Sequence, residues 1–242
     1  MRDYQQEFEK RVAFIRELVR SSGTSGIVFG NSGGKDSALV GTLCKAACEN
    51  TVGVILPCGT SQNYGQDTED ALRLAEYAGI ESRTVDLTAV REAMVSAIEP
   101  ACTVTDYAKG NISPRLRMTA LYAIAGTENR LVAGTGNKSE IFMGYYTKWG
   151  DGASDFDPIA DLTVREVFEF MDYLQIPESI RKKAPSAGLF EGQTDELEMG
   201  VSYASIEKYM CGEEVPDKDR EIIERYHARS EHKRIGRNDY HE

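Results

Sequence analysis

Six residues, Ser32-Gly33-Gly34-Lys35-Asp36-Ser37, stand between a short apolar run, "GIVFG", and a stretch with helical apolar spacing, "KDSALVGTLCKAAC". Glycines let backbone N–H groups approach an anion, and the first turn of the following helix adds a favourable dipole. Gly30, Asn31, Ser32, Gly33, Gly34, Lys35, Asp36 and Ser37 therefore form a candidate phosphate cradle. The spacing is not GxxxxGK[ST], and it is not the GxGxxG of a dinucleotide-binding turn. A tight turn followed by an acid near a helix start would look similar. Lys35 either adds charge to the cradle or points to solvent, and the spacing leaves both open.

The elements around this loop must place it. Residues 4–20 carry Phe8, Val12, Ile15 and Val19 at helical spacing. Strand, glycine loop and helix follow, and the pattern repeats through "TVGVILP", a helix begun by Asp67 and closed by Gly79, "SRTVDL", and a helix over 88–98. Ser113 and Pro114 read as a cap and first helical residue opening a helix to about Ala125, after an irregular stretch to Ile112. "RLVAGT" is a further strand. Such alternation predicts an α/β fold, a doubly wound and mainly parallel sheet flanked by helices, in a single domain over 1–242. The loop would then lie at the carboxyl edge of the sheet, where open α/β folds bind ligands.

Periodicity is lost from Gly136 until Thr163, where Thr163 and Glu166 form a capping box for "VREVFEFMDYL". "PSAGLFEGQTDELEMG" reads as a loop, followed by helices near Tyr203 to Met210 and from about Asp217. The tail 231–242 is expected to stay mobile unless a ligand or partner orders it.

Composition narrows the function. A net charge of −11 and a pI near 4.9 disfavour a general nucleic-acid surface. Five cysteines without a CxxC pair, beside three histidines, argue against a zinc site or a disulfide framework and suit a reducing cytoplasm. No apolar run approaches the roughly 20 residues that span a bilayer, so neither membrane insertion nor export is expected. Cys58, in "LPCGT", reads as a half-buried thiol rather than a nucleophile.

The SGGxDS string resembles the PP-loop of N-type ATP pyrophosphatases, which cleave ATP between the α- and β-phosphates and adenylylate an acceptor. Four further segments resemble ammonia-dependent NAD synthetase: "GNISPRLRM" at 110–118, "GTGNKSEIFMGYYTKWGDG" at 134–152, "PSAGLFEGQTDELEMG" at 185–200 and "EHKR" at 231–234. They fall in family order across residues 26–235. The implied fold is Rossmann-like, of the adenine nucleotide alpha hydrolase type. The implied reaction activates the carboxylate of deamido-NAD with ATP, releases pyrophosphate, and lets ammonia displace AMP to give NAD. Its implied partners are ATP, deamido-NAD, ammonia and a second copy of the chain, with Mg2+ as cofactor.

By motif position the resemblance implies Asp36 and Glu140 as magnesium ligands, and Thr135 and Ser186 as ATP contacts alongside residues 30–37. It implies Arg115, Lys148, Asp155, His232 and Lys233 as deamido-NAD contacts, and Asp151 as the group that orients ammonium or accepts its proton. Local physics also bears on Arg115. A cation in a first helical turn opposes the dipole, so an anion bound nearby, or plain solvation, must explain it. Three positions depart from the family pattern. Val164 replaces a lysine that contacts ATP, Pro114 replaces an alanine, and Ala153 replaces a third glycine. Arg165, one residue on, points about 100° away from Val164 and is not expected to substitute. The 242 residues leave no room for a glutaminase domain, so free ammonia is the expected donor unless a separate subunit delivers it. The rival readings are another PP-loop ligase, such as a tRNA-modifying enzyme, and a catalytically weakened nucleotide-binding homologue.

Overall fold

The computed structural model describes residues 2–59, 64–183, 194–236 and 240. Four strands, β1 (Gly26–Gly30), β2 (Thr51–Ile55), β3 (Glu81–Thr84) and β4 (Arg130–Ala133), form one parallel sheet in the order β3-β2-β1-β4. The chain moves outward from β1 to β3 and returns to the other side of β1 as β4. That reversal opens a crevice between the carboxyl ends of β1 and β4.

Helices cover both faces, which explains why β1 and β2 are apolar at every inner position instead of alternating. Ile27 and Phe29 point to one face and pack with Ile15 of α1 (Tyr4–Ser22), Leu39 and Leu43 of α2 (Lys35–Ala47), and Val167 and Phe170 of α7 (Val164–Tyr173). Val28, Val52, Val54 and Val132 point to the other face, under Leu121 and Ala125 of α5 (Asp106–Glu128). Between these lie α3 (Gln66–Ala78), α4 (Thr88–Ile98) and α6 (Lys138–Met143). Beyond α7 follow α8 (Glu178–Arg181), α9 (Asp195–Met199), α10 (Tyr203–Met210), α11 (Asp217–Arg229) and α12 (Glu231–Arg234). A third apolar cluster joins Met143, Val164, Met199, Tyr203 and Ile223, fixing the carboxyl-terminal helices over the crevice.

Several boundaries differ from expectation. α5 begins at Asp106, capped by Thr105, whose Oγ1 accepts the Ala108 N–H at 3.3 Å. It then runs through Ser113 and Pro114, so these do not open a helix. The upstream cap prevails because the interior proline is compensated by burial, its ring lying against Gly150. α3 begins one residue before Asp67, after Gly65, and Asp67 lies inside the first turn. α6 was not foreseen in the aperiodic stretch after Gly136. At six residues it is too short for periodicity to reveal, and it rests on a capping box between Asn137 and Glu140. Within the segment read as a loop, Asp195–Met199 is helical.

Within the tail, residues 231–234 form α12, which packs against the end of α6 and the segment after it. Gly144, at φ +63°, is the seat of Ser230: a Cβ there would fall 2.0 Å from the Ser230 Cβ. Lys233 Nζ donates to the carbonyls of Gly144, at 2.6 Å, and Tyr146, and Lys148 Nζ donates to those of His232 and Gly236. These bonds tie α12 to the segment 144–148.

Candidate active site

A cavity of about 620 Å³ opens at the crevice. Its walls come from the loop after β1, the loop after β4, one stripe of α5, and the start of the tail. Gly30, Asn31, Ser32, Gly34, Lys35, Asp36, Ser37, Thr135, Glu140, Asp151, His232 and Lys233 all line it.

The loop after β1 owes its shape to Gly33. This residue sits at φ +71°, and a Cβ would lie 2.2 Å from the Asp67 carbonyl oxygen, so only glycine fits. Its neighbours brace the turn: Ser32 Oγ and Ser37 Oγ are 3.1 Å apart, and Ser37 Oγ donates to the Gly34 carbonyl at 3.0 Å. Gly34, the cap of α2, offers no side chain to the first-turn amides, which leaves that helix end suited to an anion.

Asp36 and Glu140 are brought together from the two sides of the crevice. Asn137, fully buried, connects them. Its Nδ2 donates to Asp36 Oδ1 at 3.2 Å, its Oδ1 accepts the Glu140 N–H at 3.0 Å, and its own N–H donates to Glu140 Oε2 at 3.2 Å. Between the carboxylates lies the Lys35 ammonium, 2.6 Å from Asp36 Oδ2 and 3.6 Å from Glu140 Oε1. The solvent-facing reading of Lys35 is therefore wrong. The residue is 6% exposed, and although burial alone would lower its pKa, Asp36 and Glu140 hold it above the ordinary lysine value. Burial first, and then the Asp36 charge, push the Glu140 carboxyl well above its usual range, with Lys35 opposing. Hard carboxylate oxygens already gathered around one cation fit a magnesium ion.

Asp151 accepts the Thr147 N–H at 3.0 Å. Water reaches it from the cavity, yet protein encloses it closely enough for burial to raise its pKa, against the pull of that N–H, Lys233 and Arg117. Asp157 holds the loop after β4, accepting from Gly136 N at 2.8 Å and Ile159 N at 3.1 Å, and burial lifts it to about 7.

Four expected contacts lie outside the cavity wall. Gly33 turns away under Asp67. Arg115 is exposed on α5, with its guanidinium 3.3 Å from the Lys148 carbonyl. It sits in mid-helix, so the dipole argument made for it does not apply. Lys148 is engaged by the tail carbonyls. Asp155 accepts the Val132 N–H at 2.7 Å on the β4 edge, and the Tyr122 hydroxyl at 3.2 Å. Ser186 falls outside the described residues. Val164 is buried beside Tyr203, and Arg165 faces solvent and pairs with Glu169 and Glu207, so it does not replace the absent lysine.

Sequence reasoning missed Asn137, Lys183 and Arg117. The Asn137 signal was N-x-x-E, the capping-box pattern. Lys183 Nζ reaches Asp67 at 2.7 Å and Asp70 at 3.2 Å, bracing the wall behind the loop. Arg117 lies on the α5 stripe that includes Gly110, Pro114 and Leu121, and donates to the Leu56 carbonyl at 3.0 Å. Burial lowers its pKa.

A parallel α/β sheet with a glycine-bearing anion loop at its switch point, and paired acids facing that loop, defines a PP-loop nucleotide-binding domain. The chain belongs to the NAD synthase family, whose profile matches residues 7–237. It is 47% identical, over 94% of each chain, to an NH(3)-dependent NAD(+) synthetase of Alkaliphilus metalliredigens. Among solved structures it superposes with an NMN synthetase from Francisella tularensis at a TM-score of 0.94 and 39% identity, over 99% of both chains. With an NH3-dependent NAD synthetase from Campylobacter jejuni the TM-score is 0.81 at 32% identity, over all of both chains.

Proposed function

We propose that this protein forms NAD from deamido-NAD, ATP and ammonia through an adenylylated intermediate. The observation that carries the reading is the convergence of Asp36 and Glu140, from the first turns of α2 and α6 on opposite sides of the switch point, beside an anion loop. Magnesium held by these two acids would neutralise the phosphate chain and the leaving pyrophosphate. The amides of the first turn of α2 and the hydroxyls of Ser32 and Ser37 cradle the β- and γ-phosphates. Thr135, two residues beyond β4, contacts the α-phosphate side.

The nicotinate carboxylate, held by Lys233 and His232, attacks the α-phosphorus, and pyrophosphate leaves. The acyl adenylate then carries AMP as its leaving group, whereas the free carboxylate repels nucleophiles. Asp151 orients ammonium and accepts the proton that frees its lone pair. Burial raises its pKa from the ordinary aspartate value, which makes it a stronger base than a solvated aspartate. As ammonia attacks, Arg117 and Lys233 offset the charge on the tetrahedral oxygen. The remaining contacts carried by motif position are Arg115, Lys148, Asp155 and Ser186.

A second acceptor is favoured by one observation, the superposition on an NMN synthetase. Nicotinate mononucleotide presents the same carboxylate. Purified protein given ATP, Mg2+ and ammonium with either acceptor decides between them by kcat/KM. Equal yields of amide, AMP and pyrophosphate are expected, with deamido-NAD preferred. Preference for the mononucleotide would establish the second reading, and ADP as product would remove both.

The reading includes a homodimer. α4 has no buried residue yet exposes Val90 and Met94, an apolar face suited to a second copy. It also includes a cytoplasmic setting, in keeping with five cysteines that are all free thiols.

A further inference from the structure

Lys35 has a position that cradling phosphate does not explain. It is the first residue of α2, where a cation opposes the helix dipole, and its side chain turns inward instead of to solvent. Its Nζ touches Asp36 Oδ2 at 2.6 Å and lies 3.6 Å from Glu140 Oε1, with the Tyr203 ring centre 6.0 Å away. An ammonium thus sits on the two carboxylates proposed as metal ligands. A divalent ion using the same oxygens would stand within a few ångströms of that ammonium, and two cations so placed in a partly dry site repel strongly. One must withdraw for the other to bind.

The withdrawal has somewhere to go. Lys35 lines the same cavity as Ser32, Gly34 and Ser37, so a phosphate held by the loop would offer the ammonium on its flexible stem a second anionic partner. We infer that Lys35 is a built-in counter-ion: it holds Asp36 and Glu140 together in the nucleotide-free protein and releases them to a divalent cation when the ATP phosphate chain accepts its ammonium. Lys35 is then a positioning residue that makes metal binding conditional on nucleotide. By reciprocity, metal favours nucleotide to the same degree. The inference rests on the reading that Asp36 and Glu140 hold the metal.

Mn2+ is the probe, with bound ion counted by electron paramagnetic resonance, without nucleotide and with α,β-methylene-ATP, which cannot be cleaved at the reacting bond. Nucleotide-free wild type should bind Mn2+ at least about tenfold more weakly than Lys35→Gln. The analogue should tighten Mn2+ binding more in wild type than in the variant. Mn2+ alone should raise the melting midpoint of Lys35→Gln, whose carboxylates lack a counter-ion, more than that of wild type. Nucleotide-free Mn2+ binding by Lys35→Gln no tighter than by wild type overturns the inference. Should that variant fail to fold, Lys35→Arg carries the test: it keeps the charge and must keep nucleotide-free binding weak, and tight binding by it overturns the inference. Asp36→Asn separates the two levels. Unchanged Mn2+ binding by Asp36→Asn removes the metal reading itself.

Discussion

Asn137 Nδ2 lies 3.2 Å from Asp36 Oδ1, so the cap residue of α6 holds the carboxylate in the first turn of α2. The same side chain caps α6 through its Oδ1, 3.0 Å from Glu140 N. One buried amide therefore sets the positions of both acids.

Replacing Asn137 separates these duties. Asn137→Asp keeps a cap acceptor but loses the amide donor and adds a charge beside Asp36. It should lose stability at neutral pH, where a third buried carboxylate repels Asp36 and Glu140, and regain it as the pH falls; on the proposed reading that these acids hold a metal, activity should fall about 10- to 100-fold. Asn137→Ala should also lose about 1 kcal/mol of capping. Thermal unfolding and initial rates, measured side by side, check both.

Glu140→Gln should remove activity by about 100-fold or more without destabilising the fold. The folded-state pKa of Glu140 is raised, so its charged form opposes folding once the pH exceeds the unfolded value. Gln removes that charge and still serves the capping box. A melting midpoint equal to or above that of wild type at pH 7.5 is expected.

Asp151→Asn should divide the reaction. Pyrophosphate release with deamido-NAD and ATP should stay within a few-fold of wild type. Amide formation should fall about 10²- to 10⁴-fold, the usual contribution of a positioned base. Quenched-flow assays should then show the acyl adenylate accumulating.

Asp157 gives a pH signature. Its folded pKa of about 7 lies above the ordinary carboxylate value of 3.8. Stability from this group is full below pH 3.8, declines as pH rises toward 7, and is constant above. Urea unfolding from pH 4 to 8 should show wild type losing stability relative to Asp157→Asn, by an amount on the order of a few kcal/mol. A pH-independent difference would show that burial does not govern this carboxyl.

Much of this was legible because it was local. The cradle at 30–37, the Gly79 and Thr163 helix ends and the alternation of strands and helices are each written in adjacent residues. Where two local signals competed, the outcome depended on tertiary contacts. Ser113-Pro114 resembles a helix start, but Thr105 caps the helix, and Pro114 is tolerated because Gly150 packs on it. That shift moved Arg115 to mid-helix and, through helical phase, put Arg117 on the cavity side. The burial of Lys35 was illegible for a different reason. Its partner Glu140 lies more than 100 residues along the chain, and only the order β3-β2-β1-β4 brings the two loops together.

On the proposed reading the acceptor carboxylate is adenylylated before ammonia attacks. Deamido-NAD labelled with ¹⁸O in its nicotinate carboxylate, turned over with ATP and ammonium and followed by mass spectrometry of the products, tests it directly. One ¹⁸O should appear in AMP and none in pyrophosphate. Unlabelled AMP accompanying labelled phosphate or pyrophosphate would rule out attack of the carboxylate on the α-phosphorus.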